Sequence, residues 1–200
     1  NPRSTVGSST EIYDYLKLLF ARIGKTYSPI SGVLVKKHET SDVLNFLESQ
    51  EEGTRFELLS PLHIPSDRNI NEHLRVLLQQ GYTRVEVNDT VERIEDLIQN
   101  NTNIQSSDKL LLVIDRSSII KSKEWINRIS DSIETAFFEG DNTLIIKTFD
   151  KNKTPESKLF SKKFEADGIQ FEEVTENLFS FNNPIGACPV CEGFGKVMGI

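Results

Sequence analysis

Two cysteines, Cys188 and Cys191, stand at C-x-x-C spacing within Gly186-Ala-Cys-Pro-Val-Cys-Glu-Gly-Phe-Gly195. That spacing turns two thiolates to one side of a tight turn, where both can bind one tetrahedral metal ion. A closed zinc site takes four ligands, and the chain has no further cysteine. The pair is therefore half a site, a site completed from elsewhere, or a remnant. A redox couple is the other chemistry open to it. Pro189 between the thiols and Gly193 and Gly195 after them suit a knuckle better than the strand–loop–helix setting of thioredoxin-like motifs.

Other chemistry is sparse. The chain contains no G-x-x-x-x-G-K-[ST], no G-x-G-x-x-G and no G-x-S-x-G, so it offers no phosphate-cradling loop and no nucleophile elbow. His38, His63 and His73 are scattered and read as surface or hinge residues. The adjacent acids Glu51-Glu52 and Glu172-Glu173 would point to opposite faces of a strand, which suits solvated turns rather than acid–base work. Asp115-Arg116 follows an apolar run, where open α/β sheets place functional groups. A strand-ending salt bridge is the expected role.

The elements that must hold these residues follow from periodicity and caps. Ile12, Tyr15, Leu16, Leu19, Phe20 and Ile23 recur at helical spacing before Gly24, with Thr10 as a cap. Lys25 to Gly32 reads as a turn. Further helices are expected from Thr40 or Ser41, from Asp67 or Asn69 to Gly81, over Val91–Gln99, and from Ser122 to Gly140. Strands are expected over Arg55–Leu62, Tyr82–Val87, Lys109–Asp115 and Thr143–Phe149. The third is apolar enough to lie centrally, covered on both faces. Lys151–Ser157 reads as a charged loop, with short strands over Leu159–Phe164 and Ile169–Phe171. About four strands interleaved with helices make an α/β fold, with α+β as the variant. A helical N-terminal segment and a C-terminal zinc-knuckle-like turn flank it. The expected domains are 1–25, 26–155 and 156–200, the first and last forming one body. The ends read as internal to a longer protein.

Composition narrows the partners. The 200 residues carry a net charge of −7, unevenly spread. Residues 38–150 hold 11 Lys/Arg against 21 Asp/Glu, so this middle stretch repels a phosphate backbone as a whole. The flanks 1–37 and 151–163 are basic, and nucleic-acid binding by those arms is the alternative function. No apolar run reaches the ~20 residues of a membrane span. Two cysteines with no secretion signal favour a reducing, cytoplasmic setting.

Three segments resemble the UvrA family of the bacterial excinuclease ABC system. Asn1-Pro-Arg-Ser-Thr-Val-Gly7, with Thr10-Glu-Ile-Tyr-Asp-Tyr-Leu16 and Leu18-Leu-Phe-Ala-Arg-Ile-Gly24, looks like the stretch after the family's first Walker A region. Leu178-Phe-Ser-Phe-Asn-Asn-Pro184 through Gly195 looks like the second half of its first zinc finger. The resemblance implies a piece of a dimeric ABC-type ATPase of nucleotide excision repair that finds damaged DNA and loads UvrB. Residues 1–25 and 156–200 then belong to signature domain I, and 26–155 to the UvrB-binding domain. No enzyme activity is expected of this stretch; ATP belongs to the full-length protein, as do damaged DNA and a second UvrA as partners. Arg68 matches the arginine of the family's Gly-Arg-Lys-Gly segment. Gly81-Tyr-Thr-Arg-Val-Glu-Val87 is similar to a family strand, with Arg84 kept and Glu86 in place of a second arginine. Arg68 and Arg84 are the expected UvrB contacts.

The family often reads Cys-Pro-x-Cys-Gly where this chain has Ser28-Pro-Ile-Ser-Gly32, and it carries another cysteine pair where this chain has Phe164–Phe171. Cys188 and Cys191 are thus left as a half site, and no cofactor is expected here. Two thiolates alone hold zinc poorly against buffer and chelator. The expected outcome is a purified chain with far less than one zinc per molecule, and a Cys188→Ser variant that folds as the parent does. Elemental analysis after dialysis against a chelator checks this, and one retained zinc per chain would reverse it.

Overall fold

Helices and strands alternate as the periodicity requires, but every strand pairing is antiparallel. The structure, a computed structural model, describes residues 6–65, 69–100, 102, 104–105, 108–150 and 154–192. The elements in chain order are α1 (Val6–Ser9), α2 (Ile12–Ile23), β1 (Thr26–Tyr27), β2 (Leu34–Val35), α3 (Thr40–Ser49), β3 (Arg55–Pro61), α4 (Ile70–Gln79), β4 (Arg84–Val87), β5 (Thr90–Arg93), α5 (Ile94–Gln99), β6 (Leu110–Ser118), α6 (Lys123–Glu139), β7 (Thr143–Phe149), β8 (Glu156–Ser161), β9 (Glu165–Ala166) and β10 (Ile169–Gln170), then a 3-10 turn at Glu176–Phe179.

The chain forms two units. One joins residues 1–36 to 164–200, and the other is residues 37–163. The second is thus an insertion in the sequence of the first. Its entry and exit are tied together: the His38 N–H donates to the Ser161 carbonyl at 2.7 Å, and the Ser161 N–H donates to His38 Nδ1 at 3.2 Å.

Local chemistry explains the helices of the inserted unit. The Asn69 and Ser122 side chains accept from Asn71 N and Trp125 N, capping α4 and α6, a contribution of ~1 kcal/mol each. At α3, Glu39 and Asp42 form a reciprocal capping box. α4 ends where Gly81 takes a φ of 99°, which glycine adopts without strain.

The sheet of this unit has the order β5-β4-β6-β3-β7-β8. Two of its six strands depart from expectation. Asn88 and Asp89, at φ 47° and 66°, form the two-residue turn of a β4–β5 hairpin, so Val91 lies in a strand and the helix begins only at Ile94. β8 overlaps the short strand expected over Leu159–Phe164 but is shifted toward the N-terminus: it takes in Glu156 and Ser157 of the expected charged loop, ends at Ser161, and pairs with β7 from Thr143↔Ser161 to Thr148↔Glu156.

All four helices of the unit cover one face of the sheet. α3 and α6 bury Val43, Leu47, Ile129, Ile133 and Phe137 against Phe56, Leu58, Leu144, Ile146 and Phe160. α4 and α5 bury Leu74, Leu77, Ile94 and Leu97 against Val85, Leu110 and Leu112. Segregation of helices to one face of an antiparallel sheet is the α+β variant of the expected class. β6 is central, as expected, but it has helices on only one side. A bulge between its pairing with Leu58 and with Leu59 lets Ile114 touch both helix-side clusters.

The opposite face is handled differently. Leu59, Leu111 and Val113 form a small buried cluster there, with Val91 and Ile145 beside it. Lys147 Nζ of β7 bonds both carboxylate oxygens of Glu86 on β4 at 2.8 Å and reaches Asp89 at 2.8 Å. β6 and β3 lie between those strands. Three strand spacings of a flat sheet are ~14 Å, so the sheet curls toward this face to close the pair. Burial pulls the Lys147 pKa down, but the bonds to Asp89 and Glu86 outweigh it, and the net shift is upward from 10.5. The stability linked to the Lys147 proton is therefore fully present below 10.5 and is lost as pH rises through the raised folded value. Lys147→Ala leaves Glu86, 1% exposed, as an unpaired buried charge. Denaturant unfolding should show a loss of about 3–5 kcal/mol, most of it recovered in Glu86→Met/Lys147→Met.

Candidate interaction surface

In the host unit, two separated segments of sequence meet at two places. Tyr13 of α2 donates its hydroxyl to the Phe179 carbonyl at 2.5 Å. Its ring lies 5.4 Å from that of Phe181, and Phe20 lies 5.7 Å from Phe179. The second place is the loop between β1 and β2, where Ser28 and Ser31 both donate to Asp167 Oδ2, Ser31 at 2.6 Å. Asp167, at φ 52°, and Gly168, at 76°, make the tight turn between β9 and β10. Both serine hydroxyls of this loop are thus engaged by one carboxylate. Hydrogen bonds from Ser28 first, and then Ser31, hold the Asp167 pKa below 3.8.

Cys188 is exposed and Cys191 partly so; neither is in a disulfide. Backbone N–H groups of Cys191 and Val190 stabilise the Cys188 thiolate and lower its pKa from 9.0. The Glu192 N–H closes the turn on the Cys188 carbonyl at 2.7 Å. Among the described residues no group of three or more His, Cys, Asp or Glu side chains comes together for a metal. The donor set does not fit a closed four-ligand zinc site.

The inserted unit places the other sequence candidates. Arg68 lies outside the described residues. Asp115 and Arg116 lie inside β6 rather than at its end and point to opposite faces. Asp115 accepts from Arg128 at 2.5 Å and from Ser132 at 2.8 Å on α6. Arg116 bonds Glu57 at 2.8 Å on the helix-free face. The salt-bridge role expected for this pair holds, once on each side of the sheet. The three histidines stay apart; His38 is held at the unit's entry by Ser161. Of the basic arm 151–163, Lys162 pairs with Glu134 at 2.7 Å and Lys163 with Asp141 at 2.6 Å. Lys158 lies over the rings of Phe46 and Phe160.

Arg84 opens β4 on the same face as Glu86. There it borders a depression of about 480 Å³ together with Arg55, Glu57, Arg116, Ser118 and Phe149. The register brings them together: Arg55 sits opposite both Ser118 and Phe149, and Glu57 opposite Arg116. Sequence reasoning singled out Arg84 and gave Arg116 a salt-bridge role, but did not single out Arg55, and it had no means of bringing the three together from separate strands. No helix among the described residues is long and apolar enough to cross a membrane.

The arrangement defines an inserted, mixed α and β domain whose own helices, among the described residues, all lie on one face of the sheet and leave the charged face to the strands. A family model described as the UvrA interaction domain matches residues 39–150, all within the inserted unit. The chain belongs to the UvrA family. It is 38% identical over 207 residues to the UvrABC system protein A of Methanothermobacter thermautotrophicus, covering 100% of this chain and 21% of that protein. The Brucella abortus protein of the same name is 35% identical, with 100% and 22% covered. That of Thermus thermophilus is 37% identical, with 98% and 20% covered. The chain spans about a fifth of the length of these relatives.

The Ser28–Asp167–Ser31 contact joins the two host segments and predicts an acid-sensitive contribution to stability. A depressed carboxyl pKa contributes stability that is present above 3.8 and is lost as pH falls through the folded value. Asparagine tolerates the positive φ of position 167, so Asp167→Asn isolates the charge. Thermal unfolding should show a lower midpoint for this variant near neutral pH, with the difference from the parent shrinking as pH drops below 3.8.

Proposed function

We propose that the inserted unit is the UvrB-binding module of a UvrA protein, delivering UvrB to damaged DNA in nucleotide excision repair in the cytoplasm. The match of residues 39–150 to the UvrA interaction domain carries this reading. The acidic balance of the stretch suits a protein partner better than a nucleic acid. In this reading ATP hydrolysis, contact with damaged DNA and pairing with a second UvrA belong to the other parts of the full-length protein. The absence of a phosphate-cradling motif from the sequence supports that division. The host unit is read as part of signature domain I, working here without zinc at the half site Cys188 and Cys191. The alternative, nucleic-acid binding by the basic arms, is weakened by the ion pairs of Lys162 and Lys163 with Glu134 and Asp141.

Arg68 and Arg84 are the proposed contacts. Arg84 stands directly opposite Arg93 on β5, and like charges at such positions repel. Arg84→Glu turns that repulsion into an attraction, so the thermal midpoint should hold or rise slightly. Binding to UvrB, followed by calorimetry, should weaken by roughly tenfold or more, and parent binding should fall with added salt. No complex at micromolar concentrations would remove the reading. A lower midpoint with binding intact would reduce Arg84 to a sheet residue.

A further inference from the structure

We propose that the depression bordered by Arg55, Arg84 and Arg116 receives a carboxylate-bearing segment of the protein partner, two acidic side chains set on the helix-free face of the sheet. This rests on the reading of the inserted unit as a UvrB-binding module and names the chemistry of the segment that it grips.

The charge count on this face carries the argument. Alternation along the strands puts Glu86, Glu57, Lys147, Arg116, Arg84, Arg55 and Arg93 on one side, where Asp89 of the β4–β5 turn also reaches Lys147. All three acids are already engaged, Glu86 and Asp89 by Lys147 and Glu57 by Arg116. Glu57 and Glu86 are buried, at 6% and 1% exposed, and so cannot turn outward to serve other cations. Arg55 and Arg84 have no ion-pair partner among the described residues. They converge on a cavity of about 480 Å³ in a unit that is otherwise strongly acidic. Each guanidinium offers a planar fork that matches a carboxylate with two parallel hydrogen bonds.

Two further features point the same way. Arg84 and Arg93 are cross-strand partners, a juxtaposition that weakens a hairpin unless an anion sits nearby. An acidic segment over Arg84 supplies that anion. Phe149 lines the cavity across from Arg55 and gives an apolar surface beside the forks, as segments that alternate acidic and apolar residues require. A nucleic acid would meet the same arginines but also the negative field of the surrounding unit, which favours a short acidic peptide over a long polyanion.

The test uses the full 200-residue chain and the arginine Nε–Hε resonances in NMR. The probes are a hexaglutamate peptide, a DNA duplex of equal charge, and purified UvrB. The expected result is that the peptide and UvrB shift the Arg55, Arg84 and Arg116 signals, the duplex does not, and Arg55→Gln weakens binding of both by roughly tenfold while Arg55→Lys recovers part of it. If UvrB binds the parent and Arg55→Gln equally, with no arginine signal moved, the inference falls and the UvrB reading stands. If UvrB does not bind the parent, that reading falls, and the peptide titration alone decides: shifts at the three arginines keep the acidic-segment site, their absence removes it. Shifts produced by the duplex and not by the peptide would overturn the inference in favour of nucleic acid.

Discussion

The ion pair between Lys147 and Glu86 is the constraint on which the inserted unit depends. Two charges taken from water lose hydration that their attraction only partly restores, so the contact persists because geometry satisfies it: both Glu86 oxygens and Asp89 surround one ammonium. To bring β7 over β4 the sheet must curl, and the curl shelters Leu59, Leu111 and Val113 on the face opposite the unit's described helices. With Glu86 committed to Lys147 and Glu57 to Arg116, the face has used its acids. The exposed cations that remain follow from that arithmetic of charge, not from any local preference of β4.

Much of the fold was legible because its signals are local. Ser122 and Asn69 announced α6 and α4 by type and position, and the hydroxyl and amide caps are where they belong. The apolar run of β6 announced a central strand. The β4–β5 hairpin was hidden because Asn88-Asp89 lacks the glycine that most often marks such a turn, and because Val91, Ile94 and Leu97 imitate a helical stripe. β8 was legible only in part: a short strand was expected from Leu159, but its first residues, Glu156 and Ser157, were read as charged loop, and Lys158 beside them rests its ammonium on Phe46 and Phe160. Arg84 was visible from its family strand. Its neighbours were not, since only the order β4-β6-β3 brings Arg116 and Arg55 to it, and strand order has no trace in a single sequence.

The host unit joins its two segments through hydrogen-bonded side chains. The knuckle of Ser28 and Ser31 meets the turn of Asp167 through two hydroxyl donors and one carboxylate, all atoms that ordinary hydrogen bonding satisfies. A metal is worth far more to a small fold than such contacts, but it ties stability to metal supply and to the redox state of thiols. The serine–aspartate contact ties it to proton concentration instead, in a range well below neutrality. The aromatic contacts of Tyr13 and Phe20 with the 3-10 turn join the same two segments independently.

The pairing of His38 with Ser161 has a consequence for how the two units share one chain. A domain inserted into another opens a loop in its host, and the entropy of closing that loop grows with the length of chain between its ends. Here the guest holds its own ends one hydrogen bond apart, so the host experiences residues 37–163 as if they were a tight turn. A guest of this kind is a removable part: evolution can exchange, enlarge or delete it at the neck without redrawing the body that carries it.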